Sequence, residues 1–440
     1  MNIEAKVTPL RHAPRIYTRD EHNISRRNIS PNALKVLYRL NGAGFRACLV
    51  GGGVRDLLLG REPKDFDIAT DARPEQVREL FRNCRLIGRR FRLAHVRFGP
   101  EIIEVATFRA PHAEDEGQAH VNDEGRILRD NVYGGIEDDA WRRDFTVNAL
   151  FYDIADFSVI DYVGGVEDLK QGLLRLIGDP ETRYREDPVR MLRAVRFAVK
   201  LGFRIDPVSE RALFEHGGLL EQIAPARLFD ESLKLFHGGC ALQSFEALRH
   251  YDLFARLFPS ADAALAHLHG GFPATLIGHA LDNTDQRIAE GKPVTPAFLL
   301  AALLWDPLEE QRQHLLASGV SEHEALEVAA DTVISQQVAR LAVPRRFTQM
   351  TREIWTLQER LIKRSPKRAL RAFEHPRFRA AYDFLALRAS AGEPFDDDVA
   401  WWTDFQDADE AAREALLGSA KSAGGGGNGS RRRRRRRKPA

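Results

Sequence analysis

The spacing of hydrophobic and polar residues changes its period near residue 180. Before that point, apolar faces at helical spacing predict helices over 31–42 and 74–81, and short alternating runs predict strands at 47–50, 64–69, 93–98 and 101–108. After it, the helical period is almost continuous, with clear segments at 189–201, 226–236, 241–257, 296–305, 347–361 and 378–389. The pattern predicts an α+β fold, in which a mixed sheet with helices is followed by a mostly helical region.

These changes of pattern divide the chain into five predicted segments. They are a flexible N-terminal arm at 1–29, an α/β head at 30–178, two helical regions at 179–260 and 261–420, and a disordered glycine-rich linker with an arginine-rich tail at 421–440. Within the head, the polar and acidic stretch 111–128 is predicted to be a flexible excursion.

Composition is typical of a globular protein, but the charge is unevenly distributed. The 440 residues carry a formal net charge of +2, while residues 431–438 alone carry +8, which leaves −6 for the rest of the chain. Seven arginines and one lysine on a tether are expected to attract RNA phosphates, although a merely solvated tail is the alternative. Three widely spaced cysteines and the lack of an 18-residue apolar run predict a cytoplasmic protein with no membrane segment.

The most informative stretch is a glycine turn followed by paired carboxylates. Gly51, Gly52 and Gly53 follow an apolar strand and precede a helical turn that contains Arg55, a geometry that lets main-chain N–H groups approach a phosphate. Asp65 and Asp67 come shortly afterwards in a strand-like run. Residues two apart on a strand share a face, so these carboxylates are expected to lie side by side, which suits Mg²⁺. The pair predicts chemistry on a nucleoside triphosphate.

Further candidate residues occur in two other strand or helix patterns. Glu104, on an alternating segment, is a candidate third carboxylate or an ordinary solvated charge. In the run 141–150, Asp144 follows Arg143 and is expected either to cap the N–H groups of Thr146 and Val147 or to join the site. Asn148 lies four residues on, which is the helical spacing that faces it toward Asp144.

A third pattern places arginines along one helix. Arg190, Arg193 and Arg196 recur three residues apart behind Asp187 and Pro188, and no acidic residue lies three or four positions from Arg193 or Arg196. An arginine row suits a triphosphate, and Asp187 with Arg190 offers an acceptor and a donor for a base edge.

Taken in order, these motifs resemble those of the class II nucleotidyltransferases of the polymerase-β superfamily, which include bacterial poly(A) polymerases and CCA-adding enzymes. The shared runs are 49–56, 65–67, 142–144 and 186–190. The runs 86–96, 183–192, 354–358 and 375–383 are similar to the poly(A) polymerase branch in particular. The resemblance covers about residues 20–405 and implies a polymerase-β-like nucleotidyltransferase head followed by a helical neck, body and tail that bind nucleotide and RNA.

The resemblance also implies roles for the residues already singled out. Asp65 and Asp67 would bind two Mg²⁺ ions, and the triphosphate would meet the glycine turn and the arginines. Asp144, beside Arg143, would be a further carboxylate or a ribose contact, and it competes with Glu104 for the place of third catalytic carboxylate. The base would meet Asp187 and Arg190. The implied phosphate-binding residues are Gly51, Gly52, Arg55, Arg193 and Arg196.

The sequence therefore predicts a polynucleotide adenylyltransferase that adds AMP from ATP to RNA 3′ ends without a template. The resemblance adds a role in RNA decay and contact with RNA-degradation machinery. Two alternatives stay open, a CCA-adding tRNA nucleotidyltransferase and a non-catalytic RNA-binding protein. The sequence leaves open how ATP is preferred over CTP, since Asp187 and Arg190 occur in enzymes of both kinds.

Overall fold

The computed structural model describes residues 13–88, 92–110, 132–267, 275–363 and 365–423. Among these residues the chain folds into two compact units that divide between Gln222 and Ile223. The first unit is a mixed α/β structure and the second is helical, in agreement with the predicted fold class. The division lies inside the predicted segment 179–260, and the finer segment boundaries stay predictions. The stretch 111–128 and the tail 424–440 lie outside the described residues.

The first unit is built on a mixed sheet whose strand order is β1-β8-β7-β2-β3-β6-β5-β4. Strands β3 and β6 run parallel, and every other neighbouring pair in this order is antiparallel. A second, two-stranded sheet pairs β9 with β10. The strands are β1 Arg15–Tyr17, β2 Ala47–Val50, β3 Asp67–Thr70, β4 Cys84–Ile87, β5 Leu93–Phe98, β6 Glu101–Thr107, β7 Leu150–Asp153, β8 Val159–Asp161, β9 Leu173–Leu174 and β10 Arg204–Ile205.

The helices of this unit cover the sheet and then extend beyond it. The first begins at Pro31, where the Ser30 side chain accepts from Asn32 N–H, and it buries one apolar face as the sequence predicts. A buried cluster joins Cys48 and Phe151 on the sheet to Ile136 and Ala140 on one of these helices. The helices are α1 Pro31–Gly42, α2 Gly52–Leu58, α3 Pro74–Leu80, α4 Ile136–Trp141, α5 Gly165–Gln171, α6 Pro180–Glu186, α7 Val189–Leu201 and α8 Pro207–His216.

Strand β3 is shorter than the predicted strand 64–69. Its ladder with β2 begins where Asp67 pairs with Val50, so Asp65 lies ahead of the strand. The reason is that β2 has no residue left to pair once the chain turns at Gly51, whose φ of 68° is in the left-handed region. The expectation that Asp65 and Asp67 share one strand face is therefore wrong.

The predicted N-terminal arm is wrong for residues 13–29. Strand β1 pairs antiparallel with β8, and Tyr17 and Ile24 are buried. The sequence does not predict β1, because a three-residue edge strand is too short to show a hydrophobic period. Residues 1–12 lie outside the described residues.

A tight contact supports the turn at Thr146–Asn148, a single 3₁₀ turn next to α5. The Asp161 carboxylate accepts main-chain N–H groups from residues 163–166, which fixes the start of α5. Gly165 then lies against this turn, because a Cβ on it would be 2.2 Å from the Thr146 main-chain oxygen. Only glycine fits there.

The second unit consists of helices around a core that includes Trp355, Phe384 and Trp402. The predicted helix 241–257 is interrupted, since Asp252 has a φ of 55°. In the described part of the chain, no helix has both the length and the hydropathy to cross a membrane. The helices are α9 Pro225–Phe236, α10 Ala241–His250, α11 Phe254–Leu257, α12 Pro259–His267, α13 Leu276–Ala289, α14 Pro296–Leu303, α15 Trp305–Ala317, α16 Glu322–Leu341, α17 Arg345–Ile362, α18 Pro366–Phe373, α19 Phe378–Ser390, α20 Asp396–Asp407 and α21 Glu410–Ala423.

Replacing Gly165 by alanine tests the contact between Gly165 and the Thr146 main-chain oxygen. We expect Gly165→Ala to lower the free energy of unfolding by about 1–3 kcal/mol, because the new methyl group overlaps a main-chain oxygen. Gly42→Ala is the matched control, since a Cβ on Gly42 meets nothing within 4 Å. Urea unfolding of both variants is the measurement, and equal stability of the two would contradict the contact.

Candidate active site

The glycine turn between β2 and α2 lies against several of the predicted site residues. A Cβ on Gly51 would be 3.4 Å from Arg143 Nη1, and a Cβ on Gly53 would be 3.4 Å from the Asp65 main-chain oxygen. A Cβ on Gly52 would be 3.5 Å from Arg55 Nη2. Because these glycines have no side chains, the turn lies close to both Arg143 and Asp65.

Three carboxylates gather beside this turn. Asp67 begins β3 and is directly opposite Glu104 on the parallel strand β6. Partial burial, together with the negative charges of Glu104 and Asp65, raises the pKa of the Asp67 carboxyl to about 6. Asp65, although outside the strand, is thus close enough to Asp67 to repel it. The predicted carboxylates therefore lie close together, but Asp65 is in the segment ahead of β3 and not on the strand that was predicted to carry both aspartates.

Glu104 has a partner that sequence reasoning missed. Its Oε1 lies 3.1 Å from His95 Nε2, and the two residues are directly opposite on β5 and β6. The Glu104 side chain is 48% exposed, so it is still accessible from solvent. Alternation along β5 shows which residues share a face with His95. Only the register of β5 against β6 places His95 opposite Glu104.

Asp144 is engaged on both carboxylate oxygens. Its Oδ1 accepts from Phe145 N–H at 2.8 Å and from Asn148 Nδ2 at 3.3 Å, and its Oδ2 accepts from Arg193 Nε at 2.8 Å. Burial opposes the charged form, yet the Arg193 guanidinium and these hydrogen bonds hold the pKa of Asp144 below its usual value. Its side chain is 12% exposed.

The structure decides two points about this region that the sequence left open. Asp144 does not cap Thr146 and Val147, because Thr146 N–H donates to the Arg175 main-chain oxygen instead. The absence of an acidic partner for Arg193 holds only along its own helix, since Asp144 is its partner from 49 residues away. Neither contact can be read from local spacing, because Arg193 on α7 and Arg175 just after β9 both lie far along the chain from residues 144–146.

Asn148 connects the two sides of the site. Its Nδ2 donates to Asp144, as the predicted spacing suggested, and its Oδ1 accepts from Arg55 Nη1 at 2.6 Å. Arg55 is 3% exposed and also donates to Asp56, at 2.9 Å. A chain of hydrogen bonds, buried at Arg55 and partly buried at Asp144, therefore runs from α2 to α7.

Three predicted phosphate-binding arginines surround one aromatic ring. The Cζ atoms of Arg55 and Arg193 each lie 5.3 Å from the centre of the Phe197 ring, and that of Arg196 lies 4.3 Å from it. These contacts place positive charge from α2 and α7 together. Arg143 donates to Asp139 and, through Nη1, to the Asn148 main-chain oxygen.

Asp187 and Arg190 lie at the junction of α6 and α7. Asp187 accepts from Val189 N–H at 3.3 Å, and Arg190 pairs with Glu186 and with the Arg183 main-chain oxygen. Sequence reasoning missed Arg183, whose Nη2 donates to the main-chain oxygens of residues 142 and 143. Arg183 thereby ties this junction to the turn that carries Asp144. No local pattern distinguishes it from a surface arginine.

The carboxylates fit a divalent cation, although no three acidic, histidine or cysteine side chains in the described ranges enclose a metal ion. Magnesium commonly uses one or two carboxylates and takes its remaining ligands from water and substrate phosphates. The pKa of Asp67 is raised because partial burial and the negative charges of Glu104 and Asp65 outweigh the opposing charge of Arg143. Asp65 and Asp67 remain the predicted ligands, and the roles of all the site residues stay predictions.

The sheet, the glycine turn and the carboxylates define a nucleotidyltransferase head, and solved structures share the fold. A Bacillus stearothermophilus CCA-adding enzyme in complex with CTP is 25% identical with a TM-score of 0.58, covering 90% of this chain and 93% of that one. A Thermotoga maritima CCA-adding enzyme complexed with tRNA has a TM-score of 0.55 at 20% identity, covering 93% and 87%. The predicted fold class is confirmed.

Similar sequences identify the family. Poly(A) polymerase I of Escherichia coli O157:H7 is 53% identical over 409 residues, which are 92% of this chain and 88% of that protein. The Salmonella typhimurium protein of the same name is 51% identical over 94% and 90%. The Bacillus subtilis CCA-adding enzyme is 38% identical over 51% and 55%. The chain belongs to the poly(A) polymerase I family, whose members are polynucleotide adenylyltransferases, so the predicted family and enzyme class are confirmed.

Three family models match separate parts of the chain. The model described as the poly A polymerase head domain matches residues 47–175, and that of the "probable RNA and SrmB-binding site of polymerase A" matches 202–265. A third, described as the polymerase A arginine-rich C-terminus, matches 318–439. The first contains the glycine turn and the carboxylates.

The charge repulsion at Asp67 gives a test of stability. A carboxyl whose pKa is raised from 3.8 to about 6 on folding holds its proton more tightly in the folded state, so the metal-free protein loses stability as pH rises through that interval. Although the protein partly desolvates the Asp67 carboxyl, its side chain is exposed at the surface, and screening by water limits the effect to about 1 kcal/mol. We therefore expect Asp67→Asn to raise the unfolding midpoint in EDTA at pH 7.5 by about 2–4 °C.

The increase in the unfolding midpoint of Asp67→Asn should largely disappear at pH 4, where the Asp67 carboxyl of the wild type is protonated in the folded state. Glu62→Gln, an exposed change just ahead of the site, is the control and should leave the midpoint unchanged. Thermal unfolding followed by circular dichroism is the measurement. A lower midpoint for Asp67→Asn at pH 7.5 would show that no repulsion exists there.

Proposed function

We propose that this protein adds AMP from ATP to RNA 3′ ends without a template. The observation that carries the proposal is the gathering of Asp65, Asp67 and Glu104 beside the glycine turn, in a chain 53% identical to a poly(A) polymerase I over nine-tenths of its length. Among the structural relatives, one solved CCA-adding enzyme is complexed with ATP and another with tRNA, which supports ATP and RNA as ligands of this fold.

Each part of the site has a role in this proposal. The main-chain N–H groups of the glycine turn and the arginines around Phe197 hold the triphosphate. Asn148 is held between Arg55 and Asp144 and orients the ribose. The base meets Asp187 and Arg190 at the start of α7. These groups align the α-phosphate with the terminal 3′ hydroxyl, and positioning supplies much of the catalysis in phosphoryl transfer.

Asp65 and Asp67 would hold two magnesium ions, which when bound supply activation of the hydroxyl and charge neutralisation at the phosphates. Glu104 is favoured over Asp144 as the third carboxylate. Both oxygens of Asp144 are occupied by hydrogen bonds, whereas Glu104 is half-exposed next to Asp67. In this proposal Asp144 is a positioning residue that orients Asn148 and Arg193.

The proposal extends to the setting of the enzyme. We place it in the cytoplasm, as the three unpaired cysteines suggest, and assign it a role in RNA decay. The match of residues 202–265 to a model described by RNA and SrmB binding supports a protein partner in addition to RNA.

Sequencing of the products tests the reaction. The full chain is incubated with ATP, CTP and Mg²⁺ on a model RNA and on a tRNA that lacks its 3′ end. We expect tails of adenylate that grow with time on the model RNA. A product that stops at CCA on the tRNA, with no adenylate tail on the model RNA, would favour the CCA-adding alternative. Absence of pyrophosphate release would favour an RNA-binding protein without catalysis.

Replacement of one carboxylate tests the site. We expect Asp65→Ala to reduce AMP incorporation by at least about 10³-fold, because phosphoryl transfer depends on charge neutralisation at this position. Glu62→Ala, three residues earlier and also exposed, should retain activity within twofold. Incorporation of radiolabelled AMP is the measurement, and circular dichroism checks the fold. Activity of Asp65→Ala near the wild-type rate would refute the assignment.

A further inference from the structure

The helical unit contains a cavity that the proposed reaction does not use. It has a volume of about 610 Å³, within the range typical of small-molecule sites, and lies among helices α13, α14 and α19. All of its lining residues belong to the second unit, whereas the glycine turn and the carboxylates belong to the first.

One part of the cavity wall is apolar. Val294, Phe298, Leu299, Met350 and Leu387 contribute to it, together with prolines and alanines. The Phe298 ring is partly exposed and packs edge-on against Phe384, at 6.0 Å between ring centres. A fixed aromatic ring in a concave apolar wall suits a flat ring of a ligand.

The other part carries arginines with unused donors. Arg287 donates from Nη2 to the Pro293 main-chain oxygen, and Arg377 donates from Nε to Glu353 at 3.2 Å. Within the described residues, the remaining guanidinium N–H groups of these two arginines have no acceptor. Arg379 pairs with Asp383 at 3.0 Å. The lining therefore has three positive charges and one negative charge, and two of the arginines are half-buried.

We propose that this cavity binds a nucleoside phosphate. The two arginine forks would hold the phosphate, and the base would lie against Phe298 and the apolar wall. Asn283 lines the cavity with a side-chain amide that offers both a donor and an acceptor to a base edge. The ligand is either a free nucleotide or one nucleotide of a bound RNA, and only the second source depends on the proposed function.

Counting bound nucleotides tests the proposal. Equilibrium dialysis of the full chain with radiolabelled AMP, without RNA, is expected to give two molecules per chain in the wild type and one in Arg287→Ala/Arg377→Ala. The matched control is Arg368→Ala/Arg371→Ala, which removes the same charge from exposed positions of the same unit and should leave two. This result would show that the cavity binds a free nucleotide.

Binding of a fluorescent oligo(A) 15-mer, measured by anisotropy, distinguishes the RNA source. If the cavity takes a nucleotide of RNA, the cavity variant should bind the 15-mer at least fivefold more weakly than the control pair, with a shallower salt dependence. Ala380→Phe, which fills the cavity without changing charge, should give the same loss. An AMP count and an RNA affinity in both cavity variants equal to those of the control would overturn the proposal.

The two proposals can fail separately. Since the cavity variants leave the carboxylates and the glycine turn intact, AMP incorporation at saturating RNA and ATP should stay within twofold of the wild type. If the wild type incorporates no AMP, the proposed function fails, whereas the expected difference of one bound AMP between the wild type and Arg287→Ala/Arg377→Ala is unaffected. Circular dichroism of each variant confirms that a loss of binding is not a loss of fold.

Discussion

The structure of the site depends on one partly buried ion pair, that between Asp144 and Arg193. Taking two charges out of water is costly, and the cost is offset only where both are fully hydrogen-bonded. Here Asp144 also accepts from a main-chain N–H and from Asn148, and Asn148 accepts from the buried Arg55. Helix α7, the turn after α4 and helix α2 are thereby fixed to one another. The pair and its neighbours occupy both carboxylate oxygens of Asp144 with hydrogen bonds, and in the proposed function Asp144 positions Asn148 and Arg193.

Among the carboxylates beside the glycine turn, in contrast, repulsion between like charges outweighs attraction. Asp67 faces Glu104 across parallel strands and is repelled by Asp65 as well, so its pKa is raised to about 6. Without a cation this arrangement is destabilising. In the proposed function, metal and substrate would offset this repulsion, in keeping with the rule that perturbed pKa values concentrate at functional sites.

Much of the fold and of the site could be predicted from local pattern. Helix α7 has the predicted bounds 189–201, because a strong apolar face begins after a proline and ends at Gly202. Strand β6 and the glycine turn were also predicted. By contrast, β1 was missed because an edge strand of three residues is stabilised only by pairing with β8. The helix predicted over 241–257 breaks where Asp252 adopts a left-handed conformation that no spacing reveals.

The sequence by itself determined the family, the fold class and the identity of the candidate residues, since glycine, aspartate and arginine at these spacings are tied to phosphate and metal chemistry. Only the tertiary structure decided which of them meet. The pairings of Arg193 with Asp144 and of Glu104 with His95 join residues distant in sequence or on separate strands. The displacement of Asp65 from β3 follows from where β2 ends. Strand register and helix packing set these contacts, and both are properties of the whole unit and not of any local segment.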